Sequence, residues 1–238
     1  MQTAKRAPAP VSSAEPIVGI LLAAGSGRRY GGDKLMQPLA DGVPLACRAA
    51  RVLASACNRT LAVVAAGSAP ALESALRELG VEVVVAADAS RGMGHTLARG
   101  VDAASDAGGW VIALADMPAI RVDTMQCVAR SIRAGASIAA PFHGGRRGHP
   151  VGFARDWRDA LRALDGDSGA RAVLAANAER ITHLDVDDPG VLLDIDTPAD
   201  LAAFVSAERL GRWLGQYHFE QAAAALRRLE NQVQGTLA

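Results

Sequence analysis

Short apolar runs recur along this chain with amphipathic, helix-period segments between them, and that alternation most restricts what it can fold into. Ile17–Ala23, Thr60–Ala66, Val81–Ala86, Trp110–Ala115 and Ser137–Pro141 read as strands. Leu45–Ala56, Pro70–Leu79, Thr96–Ala104 and Val122–Arg133 read as helices between them. Strands that are apolar almost throughout must be covered on both faces, which predicts an α/β protein with an open, mostly parallel sheet in three layers. Beyond Pro141 the pattern loosens. His149–Phe153 and Arg180–Val186 still read as strands, with helices near Trp157–Leu164 and Ala170–Asn177. Thr197 then Pro198 is the cap and first residue of a last helix.

This pattern predicts one domain over residues 17–206 of the 238, enough chain for a well-buried core. Residues 1–16, rich in Ala, Pro and Ser, are expected to be disordered and lack the apolar core of a secretory signal. Residues 207–238 read as an amphipathic helical extension docked on the domain. Lys plus Arg and Asp plus Glu balance at 25 each, so charge gives no argument for nucleic acid or an anionic membrane. No apolar run approaches the roughly 20 residues that span a bilayer. Cys47, Cys57 and Cys127 lack Cys-x-x-Cys spacing, which predicts reduced thiols in a cytoplasmic protein rather than a zinc or iron–sulfur site.

The chemistry begins where the first strand ends. Leu22-Ala23-Ala24-Gly25-Ser26-Gly27-Arg28-Arg29-Tyr30-Gly31-Gly32-Asp33-Lys34 packs glycines and cations into one loop. Glycine lets a backbone approach a ligand closely, and successive N–H groups in such a loop suit an anion. The spacing is not that of a Walker loop, since Leu35 follows Lys34, nor that of a dinucleotide fingerprint. Asp116 closes the strand that ends at Ala115 and precedes Met117-Pro118. A carboxylate at the carboxyl end of a strand, opposite a phosphate loop, is placed to hold Mg²⁺. As a helix cap for Val122 onward, Asp123 serves better. The third segment is Leu193-Asp194-Ile195-Asp196-Thr197-Pro198-Ala199-Asp200-Leu201. If it is a strand, Asp194 and Asp196 share a side. Asp200 reads as a first-turn acid favoured by the helix dipole, with no part in catalysis.

Together these segments resemble the MobA-like nucleotidyltransferases, and most closely the molybdenum cofactor cytidylyltransferase branch. The loop matches at Leu22, Ala23, Ala24, Gly25, Arg29, Gly31 and Lys34, and departs at Gly27 and Tyr30, where that branch usually has Ser and Met. Further boxes follow in family order: Gly92-Met93-Gly94-His95-Thr96-Leu97, Arg146-Arg147-Gly148-His149-Pro150-Val151, and Leu164-Asp165-Gly166-Asp167-Ser168-Gly169-Ala170-Arg171. The resemblance spans Gly19 to Phe204 and implies the Rossmann-like fold of the nucleotide-diphospho-sugar transferase type.

It implies transfer of CMP from CTP to the phosphate of molybdopterin, with release of pyrophosphate and with Mg²⁺ as cofactor. In that reading Lys34, Arg29 and Asp116 carry the chemistry. Leu22, Ala23, Ala24, Gly25, Gly27, Arg29, Lys34, Gly92, Met93 and Thr96 bind the nucleotide. His149, Asp167 and Arg171 lie on the acceptor side. Asp116 and Asp196 hold the metal, with Asp194 as an outer or alternate ligand. A molybdenum hydroxylase would receive the product. His149 has a plainer alternative, a structural histidine held on a backbone carbonyl. Guanylyl relatives usually have Gly where Ala24 stands, which points to CTP over GTP. The alternatives are GTP as donor, another phosphorylated acceptor, or a non-catalytic carrier of the cofactor. Mere binding does not require Lys34, Asp116 and Asp196 together. A nicotinamide dehydrogenase is disfavoured by the loop spacing.

Overall fold

The computed structural model describes residues 15–25 and 30–213. Strand β1, Ile17–Ala23, lies in the interior of the sheet. Its alternate side chains divide between two cores: Ile17, Leu21 and Ala23 enter one, Val18 and Ile20 the other. It pairs in parallel with β2 (Arg59–Ala65) on one side and β4 (Gly109–Leu114) on the other, and β2 pairs in parallel with β3 (Glu82–Ala86) at the edge. Helices α1 (Leu45–Ala54), α2 (Pro70–Glu78) and α4 (Val122–Arg133) cover the first face. Helices α3 (Met93–Ala103), α5 (Arg158–Arg162) and α6 (Arg171–Ala176) cover the second. The three layers are those the sequence predicts.

The second half departs from parallel pairing. Strand β7 (Val151–Ala154) inserts antiparallel between β4 and β5 (Ile138–His143), and β8 (Ile181–Asp185) runs parallel to β5 on its far side. A two-residue strand, β6 (Arg146–Arg147), folds back on β5 through Gly144 and Gly145, both at positive φ as a tight two-residue hairpin turn requires.

Helix α7, Pro198–Trp213, runs across residue 207 without a break. Its start is a capping box: Asp200 N donates to Thr197 Oγ1 at 3.2 Å, while Asp200 Oδ2 accepts from Thr197 N at 2.7 Å and Asp196 N at 3.1 Å. Asp200 is therefore a fixing residue for the Asp196 backbone. A small third core of Leu39, Leu45, Ile195 and Phe204 seats this segment against the end of the glycine loop. Helix α4 has Arg121 at its N-cap position with no side-chain cap. The buried carboxylate of Asp188 takes that part, accepting from Arg121 N at 2.9 Å and Thr124 Oγ1 at 2.7 Å, while Asp123 accepts from Thr124 N.

Among the described residues no helix is long and apolar enough to cross a membrane. The segment expected to be disordered lies outside them up to residue 14, as does the extension beyond Trp213.

Candidate active site

Strands β1 and β4 are neighbours in parallel register, so the chain leaves both at the same edge of the sheet. Open α/β folds bind ligands at that edge. Ala115 N donates to the Leu22 carbonyl at 3.1 Å, and Ile195 N to the Asp116 carbonyl at 3.0 Å. These bonds tie together three segments far apart in sequence. A short 3₁₀ turn, Lys34–Met36, follows the glycine loop and directs Lys34 inward.

Lys34 Nζ lies 2.9 Å from Asp116 Oδ2 and 3.3 Å from Asp196 Oδ1. The lysine side chain is only 10% exposed, against 26% and 31% for the carboxylates. One ammonium thus bridges two carboxylates that open to solvent on their outer sides. Their oxygens converge on a single cation position, which the ammonium fills. Two hard oxygen donors with the remaining positions open suit Mg²⁺, which keeps several waters and shares its shell with substrate phosphates. Among the described residues no cluster of three or more His, Cys, Asp or Glu offers a complete protein cage. Asp194 is exposed and the buried Ile195 separates it from Asp196. Residues 193–196 form no strand, so the shared side expected of the two aspartates has no ladder to enforce it.

Gly25 is exposed, and a Cβ built on it would meet no atom of the described residues within 4 Å. Ala23 packs into the first core, and Ala24 is partly exposed at the rim. Gly27 and Arg29 lie outside the described residues.

Beside this carboxylate pair lies a cavity of about 240 Å³. Leu22 and Leu114 form its inner wall, Met93 and Leu97 of α3 one side, and Arg147–His149 and Ser168–Arg171 the others. Two of its loops are clasped together. Gly94 N donates to the Gly166 carbonyl at 2.8 Å, and Arg91 Nη2 to Asp165 Oδ2 at 2.7 Å. Gly92 has φ +111°, and a Cβ there would fall 2.5 Å from Asp167 Oδ1. Asp167 therefore covers Gly92. Thr96 is buried, and its hydroxyl donates to the Gly92 carbonyl inside the helix at 3.2 Å. Arg147, in the same box as His149, also lines the cavity, held by the Gly144-Gly145 turn that pairs it with Phe142 across the hairpin.

Burial lowers the pKa of His149 to about 4, with the cations Arg147 and Arg171 pushing the same way and the Asp116 carboxylate and a hydrogen bond to the Ile112 backbone opposing. Its imidazole is neutral at physiological pH. Burial also pushes the Cys57 thiol up to about 12, so it is no nucleophile.

The two glycines give a paired expectation. Gly92→Ala should cost about 1–3 kcal/mol of stability, because a Cβ collides with the clasped loop at a φ that side chains avoid. Gly25→Ala should leave stability unchanged and weaken nucleotide binding. Urea denaturation and nucleotide titration of both variants check this; a destabilised Gly25→Ala would show that its glycine serves the fold.

The model of the MobA-like NTP transferase domain matches residues 19–181. Nicotine blue oxidoreductase of Paenarthrobacter nicotinovorans is 30% identical over 76% of this chain and 92% of its own length. The purine catabolism protein PucB of Bacillus subtilis is 30% identical over 77% and 93%. A probable molybdenum cofactor guanylyltransferase of Mycobacterium ulcerans is 27% identical over 81% and 94%. The crystal structure of Rv0371c from Mycobacterium tuberculosis superposes with a TM-score of 0.70 at 26% identity, covering 82% of this chain and 99% of that one. The same protein in complex with manganese gives 0.64 at 25% identity, covering 80% and 98%.

Proposed function

Since the chain belongs to the MobA-like NTP transferase family and is thereby a nucleotidyltransferase, we propose that it transfers CMP from CTP to the phosphate of molybdopterin and releases pyrophosphate. The observation that carries the reading is the bridge from Lys34 to Asp116 and Asp196 at the carboxyl edge of the sheet. The guanylyltransferase among its relatives supports the class of acceptor.

The triphosphate lies along the glycine loop, with Arg29 on the phosphates that leave. Its negative charge draws the Lys34 ammonium off the carboxylates and onto the α-phosphate. Asp116 and Asp196 would hold Mg²⁺, which would supply the charge that stabilises the phosphate oxygens. The acceptor enters from the cavity side, past His149 and Arg171, with Asp167 holding the clasped wall. Its phosphate is already ionised at neutral pH and attacks the α-phosphorus in line, so the P–O bond to pyrophosphate breaks as the new one forms. Such a transfer is mostly positioning and electrostatics and needs no protein nucleophile. A molybdenum hydroxylase is the fitting recipient of the product.

Donor choice rests on Ala24 at the rim. Its methyl group narrows the space for a base lying against the loop, and a pyrimidine needs less of it. CTP should bind more tightly than GTP or ATP in a thermal-shift panel with Mg²⁺. Ala24→Gly should relax the preference for CTP over GTP without improving cytidylyl transfer, because it removes a clash and adds no contact. A steric distinction of this kind is worth about 1–3 kcal/mol. Equal use of CTP and GTP by the unaltered protein would defeat the cytidylyl reading and leave the transferase reading standing.

A further inference from the structure

The cavity beside the carboxylate pair holds an unmet hydrogen-bonding group. His149 Nδ1 is buried and has no partner among the described residues. The ring is neutral, so only one nitrogen carries a proton. The bond to the Ile112 backbone favours a protonated ring and therefore runs from the ring to the carbonyl. With Nδ1 unpartnered, that proton sits on Nε2, and Nδ1 is left with a bare lone pair.

A buried acceptor without a donor loses hydrogen bonds it would make in water, and a ligand that brings an N–H or O–H restores one. Around it the cavity has a second requirement. Arg147 and Arg171 both line the space, and both act on His149 as positive charges. The rest of the wall is largely apolar, with Leu97, Ile112 and Phe153 facing in.

We propose that this cavity selects an anionic molecule with an apolar ring body that presents an N–H or O–H donor to His149 Nδ1, with Arg147 and Arg171 taking the negative charge. This deepens the reading of the cavity as the acceptor side. His149 becomes a specificity-determining residue that recognises a donor, rather than a general base. Sites built around a buried polar group reject analogues lacking its partner far more strongly than apolar pockets reject a missing methyl group.

The test reads binding and not turnover, so it can fail separately from the transferase reading. The probes are 4-hydroxyphenyl phosphate and 4-methoxyphenyl phosphate, which share charge and ring and differ in one donor. By isothermal titration the hydroxyl probe should bind about tenfold tighter, the scale of one hydrogen bond to a buried group. His149→Phe should abolish that difference, and His149→Asn, whose amide oxygen can stand where Nδ1 is, should recover part of it. Arg171→Gln should weaken both probes alike. Near- and far-UV circular dichroism of all three variants should match that of the unaltered protein, which shows that they fold. Equal binding of the two probes, no measurable binding of either, or a hydroxyl preference that survives His149→Phe would overturn the proposal.

Discussion

Lys34→Ala is expected to slow pyrophosphate release by about 10²–10³-fold, the usual loss when a preorganised charge is taken from a transition state. The same change should strengthen the binding of Mn²⁺ in the absence of nucleotide. Lys34 Nζ now stands within 2.9 and 3.3 Å of the two carboxylates and competes for the position a divalent ion would take. Removing it takes that competitor away. The fold should survive, because both carboxylates reach water and the surrounding cores do not depend on the bridge. A Mn²⁺ titration followed by electron paramagnetic resonance, beside a pyrophosphate assay, separates the two effects. Near-normal turnover would remove Lys34 from the chemistry. Unchanged or weaker Mn²⁺ binding would refute the competition.

The second large effect belongs to the carboxylates. Asp116→Asn and Asp196→Asn should each weaken Mg²⁺ activation by at least about 10–100-fold, the range already seen when only an outer partner of a metal ligand is lost. The double variant should be little worse than the poorer single one, since residues acting as one unit are not additive. An unchanged Mg²⁺ titration in either variant would show that its carboxylate is no ligand. Asp194→Asn, at an exposed position outside the bridge, should leave the titration as it is.

How much of this was legible beforehand differs from element to element. Ile17–Ala23 and Val122–Arg133 have the limits read from the sequence, because the one is apolar on both faces and the other keeps a clean helical period. Helix α3 starts at Met93 rather than Thr96. Gly92 and Gly94 look like loop residues in a sequence, yet their lack of side chains lets the 165–167 segment press onto the helix start. The antiparallel insertion of β7 was hidden, since nothing local distinguishes a strand running up from one running down. Strand β6 has only two exposed arginines and no apolar face to betray it. Asp188 caps a helix whose N-cap residue lies 67 residues before it, a contact no spacing reveals.

The site shows the same division. Lys34, Asp116 and Asp196 stood out because each follows a turn or strand end in a recognisable box, though 82 and 162 residues separate the lysine from its partners. What spacing could not tell was that one ammonium would bridge both carboxylates. Nor could it tell that His149 Nδ1 would lack a partner among the described residues. The fold itself decides less. Its relatives include a protein named as an oxidoreductase and another as a guanylyltransferase, so the activity has to be argued from the site.

The most direct measurement is pyrophosphate release by the purified full chain supplied with CTP, molybdopterin and Mg²⁺. The account predicts one pyrophosphate for each molybdopterin converted to its cytidylyl form, with no release when the acceptor is left out or when a chelator removes the metal. No release with either CTP or GTP, or release that continues undiminished in the presence of chelator, would contradict it.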